Sequence, residues 1–141
     1  MADLITPEQR SANMALIRSR NTLPEILVRR TLHRLGYRFR IHWKNAPGRP
    51  DIALPNRKCL IQVHGCFWHQ HPGCAAARIP TTRREFWKQK LEQNRARDLK
   101  NQAAAEALGW RALIIWECEL RDLQAIEKRL VTFLGPTRVD Q

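Results

Sequence analysis

Residues 64–74 read HGCFWHQHPGC, and this stretch constrains the fold more than any other part of the chain. It places Cys66 and Cys74 among several histidines, and Cys118 follows far along the chain. The first residues do not resemble a secretory signal, so clustered Cys and His favour a metal site over a disulfide framework. The three cysteines and one His would complete a tetrahedral zinc site. A zinc ion bound there would hold the irregular segment 65–82 in place, because this segment has little apolar core of its own.

The spacing leaves the fourth zinc ligand open between His69 and His71. Because residues 65–82 are predicted to be irregular, the two rings need not point in the same direction. One ring can therefore face the zinc while the other faces a second site. Cys59 lies inside an apolar strand, where we expect it only to pack.

The charge of the chain predicts a polyanionic partner. The 141 residues hold 25 Lys and Arg against 13 Asp and Glu, a net charge of +12. Residues 78–100 are especially basic and include Phe86 and Trp87, whose rings can stack on bases. Because no apolar run approaches the roughly 18 residues of a membrane span, and no basic segment has a clean apolar face, nucleic acid is favoured over a membrane.

The hydrophobic pattern predicts one mixed α/β domain with helices on both sides of the sheet. The predicted elements are helices at 6–20 and 22–35, strands at 37–43, 51–54 and 58–64, a helix at 83–108, a strand at 111–116 and a helix at 120–133. Three strands joined by short turns form a meander. A strand that returns after a long helix enters the same sheet by a crossover.

A carboxylate lies at the start of the second predicted strand. Asp51 follows Pro50, and antiparallel pairing places it beside Val63 and His64 at the end of the next strand. A carboxylate and a strand carbonyl are oxygen ligands that suit Mg²⁺, which can polarise a phosphodiester. An Asp that only caps a turn is the alternative interpretation.

Pro50-Asp51 followed by Gln62-x-His64 resembles the PD-(D/E)xK motif of restriction-like nucleases, with Gln62 and His64 replacing the usual acid and Lys. Several further segments closely resemble the very-short-patch-repair (Vsr) endonucleases, in order over residues 8–122. They are RSxNM at 10–14, TxxE at 22–25, PGRPD at 47–51, HGCFWHQHPGC at 64–74, EFW at 85–87 and GWR–IIWECEL at 109–120. The resemblance implies a restriction-endonuclease-like catalytic domain at 21–141, preceded by a helical DNA-binding arm at 1–20.

The resemblance also implies an activity, which is Mg²⁺-dependent nicking of DNA 5′ to the T of a T·G mismatch left by deamination of 5-methylcytosine. Asp51 and the backbone carbonyl of Val63 would bind Mg²⁺. His69 would be the general base, since an imidazole titrates near neutral pH. His64 and Glu25 would orient metal-bound waters and the phosphate, although Glu25 also fits a helix capping box.

The remaining implied roles concern zinc and DNA. The structural zinc ligands would be Cys66, His71, Cys74 and Cys118. Phe67, Trp68 and Trp87 would wedge into the duplex beside the mismatch, while the helix around Met14 would approach the minor groove.

Partners and alternatives complete these expectations. We expect a monomer in the bacterial cytoplasm, acting on double-stranded DNA, without a membrane, and linked to a DNA cytosine-5 methyltransferase and a repair polymerase. The alternatives are a Vsr-like nuclease with another DNA target, a zinc-stabilised DNA-binding module without catalysis, and a basic RNA-binding protein.

Overall fold

The structure is a computed structural model that describes residues 22–137. The helix predicted at 6–20, and Met14 with it, lies outside the described residues. None of the helices between residues 22 and 137 has the length and apolar character needed to cross a membrane.

Helix α1 spans Leu23–Leu35 and confirms the helix predicted at 22–35. Thr22 is its N-cap, because the Thr22 hydroxyl accepts a hydrogen bond from the Glu25 N–H at 3.4 Å. Gly36 ends the helix at φ 93°, a left-handed conformation that costs glycine little. Glu25 therefore contributes to capping through its backbone, and its carboxylate is available for other contacts.

Four strands of the described chain form a mixed sheet in the order β1-β2-β3-β4. They are β1 (Arg40–Ile41), β2 (Ile52–Leu54), β3 (Cys59–His64) and β4 (Arg111–Trp116). The first three are antiparallel neighbours, whereas β3 and β4 are parallel. Helix α2 (Arg84–Ala107) makes the crossover between β3 and β4, as predicted, and helix α3 (Leu123–Leu134) follows.

Helices cover both faces of the sheet. Ile61 and Ile115 lie in one buried cluster with Val28 of α1 and Ile126 of α3. On the other face, Ala53 and Leu60 pack against Ala105 of α2. Because side chains alternate along a strand, Gln62 and His64 share the α2 face with Leu60. The end of β3 therefore presents polar side chains towards the middle of α2.

Two element boundaries differ from the sequence prediction. The strand predicted at 37–43 is reduced to Arg40–Ile41, because His42 takes a left-handed φ of 47° that ends the extended backbone. The last helix begins at Leu123 rather than at residue 120, since Glu117–Arg121 forms a 3-10 turn first. Asp122 then caps α3 by accepting from the Ala125 N–H. The segment 65–82 is irregular as expected, apart from a 3-10 turn at Ala75–Ala77.

Candidate functional site

A cleft of about 780 Å³ lies where α1, the end of β3 and the middle of α2 meet. Titratable side chains reach it from four separate parts of the chain: Glu25 from α1, Asp51 from the start of β2, His64 and His69 from the end of β3 and the loop after it, and Asp98 from α2. The sequence predicted the first four of these residues as site members but not Asp98.

Asp51 is held by the main chain of β3. The Val63 N–H donates to Asp51 Oδ2 at 2.7 Å. Burial raises the pKa of Asp51 to about 7, in spite of this hydrogen bond, and the charge of Glu25 acts in the same direction. A buried carboxylate of this kind is ionised at lower pH when a cation lies beside it. The donor chemistry therefore fits a divalent cation.

Gln62 stands at the position where restriction-like nucleases usually carry a second acid, and its amide is used inside the protein. Gln62 Oε1 accepts from the Asp51 N–H at 3.2 Å. Gln62 Nε2 lies 3.2 Å from the Gly48 carbonyl oxygen and 3.3 Å from that of Arg49, and it donates to both. Gln62 thus fixes the turn that leads into Asp51.

His69 forms a pair with Asp98. The Nδ1 atom of His69 lies 2.6 Å from Asp98 Oδ2. A carboxylate only accepts hydrogen bonds, so Nδ1 carries the hydrogen and Nε2 becomes the basic nitrogen of the neutral ring. This arrangement is the one that a general base requires.

His64 stacks on His69 and is buried. The ring centroids lie 3.7 Å apart with an interplanar angle of 7°. Burial, with a smaller effect of the neighbouring His69, lowers the pKa of His64 to about 4. His64 is therefore neutral near pH 7 and able to accept or donate a hydrogen bond without adding charge.

Glu25 is 3% exposed and lies among donors. Arg29 Nη2 lies 2.9 Å from Glu25 Oε2, and His42 Nε2 lies 3.2 Å from the same oxygen. Ligand atoms of Glu25, His42 and Asp51 lie within 4.8 Å of one another. The carboxylate thus points to the site around Asp51, while the Glu25 N–H donates to the Thr22 hydroxyl that caps α1.

A second cluster contains the predicted zinc residues. Ligand atoms of Cys66, His71, Cys74 and Cys118 all lie within 4.8 Å of one another. His71 Nδ1 is 3.5 Å from Cys118 Sγ, and the His71 ring stacks on Trp116 at 4.2 Å. Three thiols and one imidazole are a donor set for tetrahedral zinc. The structure thus groups His71 with the thiols and His69 with Asp98.

The thiols of Cys66 and Cys74 in this cluster differ in environment. Burial raises the pKa of Cys66 to about 12, whereas a hydrogen bond from the Ala76 backbone lowers the pKa of Cys74. A bound metal deprotonates its thiol ligands. The buried Cys66 sulfur is thus the thiol that most needs a cation beside it.

The aromatic residues predicted to contact DNA form one group, of which Phe67 and Trp68 line the cleft. Ring centroids of Phe67 and Trp68 lie 4.9 Å apart, and those of Phe67 and Trp87 lie 5.5 Å apart. Phe67, Trp68 and Trp87 are all half-buried. Phe86 packs against Trp87 and is 44% exposed. These rings therefore pack against one another and remain partly exposed to solvent.

Sequence reasoning missed Asp98 and His42 because each reaches the site from a segment that was interpreted differently. Asp98 was counted only as a countercharge in a basic helix, and His42 only as part of a strand. One signal for Asp98 was present, because polar residues at helical spacing mark one face of α2. They are Lys90, Asn94, Arg97, Asp98 and Asn101, all of which line the cleft.

Comparison with known proteins gives consistent matches. Residues 2–75 match a family model described as DNA mismatch endonuclease Vsr. A type II nicking enzyme, V.XorIIP of Xanthomonas oryzae, is 50% identical over 137 residues, which cover 97% of this chain and 100% of the relative. The DNA mismatch endonuclease Vsr of Escherichia coli is 39% identical over 132 residues, which cover 94% of this chain and 84% of the relative. A third relative, the type II nicking enzyme V.NmeAIP of Neisseria meningitidis, is 39% identical and covers 92% of each chain.

Proposed function

The chain belongs to the Vsr family of DNA mismatch endonucleases, which are restriction-endonuclease-like, and we propose that it nicks DNA 5′ to the T of a T·G mismatch with Mg²⁺ as cofactor. The mismatch is the product of 5-methylcytosine deamination. The observation that carries the proposal is the convergence of Asp51, Glu25 and the His69–Asp98 pair in one cleft that also contains Phe67 and Trp68.

Asp51 and the backbone carbonyl of Val63 would hold the magnesium ion. Bound Mg²⁺ supplies Lewis-acid stabilisation of the charge that develops on the phosphate and the leaving oxygen. Asp51 is already oriented by the Val63 N–H, so little reorganisation of the carboxylate is needed. Gln62 keeps its carbonyl oxygen on the Asp51 N–H, which supports a site with few acidic ligands.

His69 acts as the general base that takes a proton from the attacking water. Asp98 accepts from Nδ1, so the Nε2 lone pair of His69 receives that proton. The imidazolium then lies beside the Asp98 carboxylate, which stabilises its charge. Neutral His64, stacked on His69, and Glu25 position the water and the phosphate.

Zinc held by Cys66, His71, Cys74 and Cys118 has a structural role. The donors are protein side chains only, and a closed four-ligand site leaves no open position for a substrate. The loop that carries His69 and the aromatic pair lies between the first two of these ligands. The zinc would therefore hold the base and the wedge in place.

Recognition of the mismatch uses the aromatic group formed by Phe67, Trp68 and Trp87. A T·G wobble pair is unstacked more easily than a Watson–Crick pair, so inserting rings costs less there. Lys90 and Arg97 line the same cleft and neutralise phosphates. The arm at residues 1–20, including Met14, would complete the contact from the minor groove, and residues 21–141 form the catalytic domain.

The biological setting follows from this substrate. A cytosine-5 methyltransferase creates the base whose deamination gives the mismatch, and a repair polymerase must use the nick. We place the enzyme in the bacterial cytoplasm with the DNA. A mismatch needs a single cut and lacks two-fold symmetry, which favours a monomer.

The test is a nicking assay with Mg²⁺ on labelled duplexes that differ only in one T·G pair, flanked by randomised bases. We expect a nick 5′ to the mismatched T, absent from the matched duplex and from Asp51→Ala protein. Equal cleavage of matched DNA would show a different DNA target within the family. An intact T·G duplex after incubation with folded, zinc-loaded protein would reject the mismatch activity.

A further inference from the structure

We propose that His42 is a positioning residue that fixes the carboxylate of Glu25 beside Asp51. The inference rests on the proposed function, because it assigns the part of the cleft that orients water and phosphate during cleavage. Its basis is a set of contacts through which one residue joins the backbone of Asp51 to the side chain of Glu25.

The backbone of His42 is hydrogen-bonded to the backbone of Asp51. The His42 N–H donates to the Asp51 carbonyl at 3.1 Å, next to the end of β1. His42 has a φ of 47°, in the left-handed region that glycine adopts most readily and that Asn, Asp and His adopt more often than other residues. Glycine fits this turn with less strain, so a change to Gly can remove the imidazole while the backbone keeps its conformation.

The side chain of His42 reaches Glu25. Nε2 lies 3.2 Å from Glu25 Oε2, and since a carboxylate can only accept, Nε2 carries the hydrogen. Arg29 Nη2 donates to the same oxygen at 2.9 Å. Arg29 holds the carboxylate along α1, one helical turn away, whereas His42 holds it across to the sheet. Two donors from different directions fix the orientation of the carboxylate.

Glu25 needs such restraint because of its neighbour. Its ligand oxygen and that of Asp51 belong to one group of atoms within 4.8 Å of one another, and two carboxylates at this range repel. Without a donor on the sheet side, rotation of Glu25 away from Asp51 relieves the repulsion. His42 opposes that rotation through its hydrogen bond to Glu25 Oε2.

Two substitutions separate the side chain from the backbone. His42→Gly removes the imidazole, suits the left-handed φ and keeps the N–H that donates to Asp51. His42→Gln restores a side-chain donor of similar reach. Lys58→Gly is the matched control, because Lys58 is exposed, has a φ of 52° and lies in the turn between β2 and β3.

The readouts are the single-turnover nicking rate on a T·G duplex, the affinity for that duplex and the unfolding temperature. We expect His42→Gly to slow nicking by about tenfold or more, while its DNA affinity stays unchanged and its unfolding temperature equals or exceeds that of the wild type. His42→Gln should recover most of the rate. Lys58→Gly should nick as the wild type does. A wild-type rate in His42→Gly, or failure of His42→Gln to recover it, would overturn the inference and leave the proposed function intact.

A second measurement does not depend on the substrate. His42→Gly is made in the wild type and in a Glu25→Ala background, which keeps the backbone N–H that caps α1. His42→Gly relieves backbone strain in both backgrounds, but only in the wild type does it also remove the hydrogen bond to Glu25. If that hydrogen bond exists, His42→Gly should raise the unfolding temperature more in the Glu25→Ala background than in the wild type. Equal shifts in both backgrounds would refute the inference. A wild type that leaves T·G duplexes intact would reject the proposed function, and this comparison would still decide the role of His42.

Discussion

The hydrogen bond between His69 and Asp98 decides which nitrogen of His69 can act as a base. Nδ1 is occupied by Asp98, 2.6 Å away, so in the proposed mechanism the proton of the attacking water would go to Nε2. An amide at position 98 can also donate to Nδ1, which would place the hydrogen on the wrong nitrogen.

We therefore expect Asp98→Asn to lower the single-turnover nicking rate by about 10²- to 10³-fold, because it disturbs the tautomer and removes the charge that stabilises the imidazolium. The affinity for a T·G duplex should stay within about threefold of the wild type. Glu92→Gln is the control, since Glu92 is an exposed acid on the same helix. Equal losses in the two variants would argue against a specific role of Asp98.

In the metal-free protein, Asp51 and His64 affect the stability in opposite directions as the pH changes. The pKa of Asp51 rises from 3.8 to about 7 on folding, so its contribution is fully present below pH 4 and is lost as the pH rises through 7. The pKa of His64 falls from 6.5 to about 4 on folding, so its contribution is present above pH 6.5 and is lost as the pH falls through 4.

Asp51→Asn should therefore stabilise the metal-free protein at pH 8, by about 1–3 kcal/mol, because it removes a buried charge. The gain should shrink as the pH falls towards 4, where Asp51 is protonated in the native wild type. Chemical unfolding at several pH values measures this difference. Added Mg²⁺ should raise the stability of the wild type at pH 8 but not that of the variant. A variant that is less stable than the wild type at pH 8 would contradict this account.

How well the sequence predicted the site depended on how local each contact is. Asp51 and Val63 were placed together because a short turn joins their strands. Asp98 was missed because its pairing with His69 depends on the angle at which α2 crosses the sheet. No local pattern encodes that angle, whereas the polar face of α2 at helical spacing does indicate which side meets the cleft.

At the scale of elements, the loop after β3 has little packing of its own and carries three of the four candidate zinc ligands. Between residues 65 and 82, all of them described, Cys66 is the only buried residue, so hydrophobic packing contributes little to holding the loop. The four zinc candidates join this loop to the 3-10 turn after β4. If zinc binds there, we expect the position of His69 to depend on it, even though His69 is not grouped with the thiols.

We expect the purified protein to contain one zinc per chain and Cys118→Ser to lose most of it. Loss of zinc should lower stability, by about 4 kcal/mol if free zinc exceeds its dissociation constant a thousandfold. It should also reduce nicking, because His69 is no longer held. Metal analysis and thermal unfolding measure both effects. Cys59→Ala is the control, since Cys59 lies outside the cluster, and zinc loss in that variant as well would contradict the assignment.

The element boundaries show where sequence patterns mislead. The alternation of residues 37–43 predicted a strand, yet only Arg40–Ile41 pairs with β2. Tyr37 instead packs in the core and donates its hydroxyl hydrogen to the Gly135 carbonyl, while His42 leaves the extended conformation. Both departures depend on partners distant in sequence. The capped helix α1 and the apolar β3 and β4 were predicted well because their signals are local.

At the scale of the whole molecule, the excess of positive charge is placed to attract a duplex. Helix α2 is polar, with only Leu91 and Ala105 buried, and most of its basic residues are exposed. It covers the cleft side of the sheet, whereas α1 and α3 cover the other. Phosphate contacts along α2 would release counterions on binding.

We expect DNA affinity to fall steeply between 50 and 200 mM salt, by about 10³-fold if six phosphates are contacted. Replacing both Lys90 and Arg97 by Ala should lower the slope of log affinity against log salt by about one for each lost contact. Lys128→Ala on α3 should leave the slope unchanged. Binding titrations at four salt concentrations measure these slopes, and equal changes in all variants would show that α2 is not the contact surface.

The zinc candidates lie just beyond the carboxyl ends of two parallel strands, since Cys66 follows β3 and Cys118 follows β4. During synthesis on the ribosome, Cys66, His71 and Cys74 emerge long before Cys118. A zinc ion bound to these residues would acquire its fourth ligand only after α2 and β4 have been translated and β4 has joined the sheet. Full coordination would then come late in synthesis, and we expect the loop that carries His69 to be held in place only after β4 has joined the sheet. A nascent chain without β4 would then lack a positioned His69 and would not nick DNA.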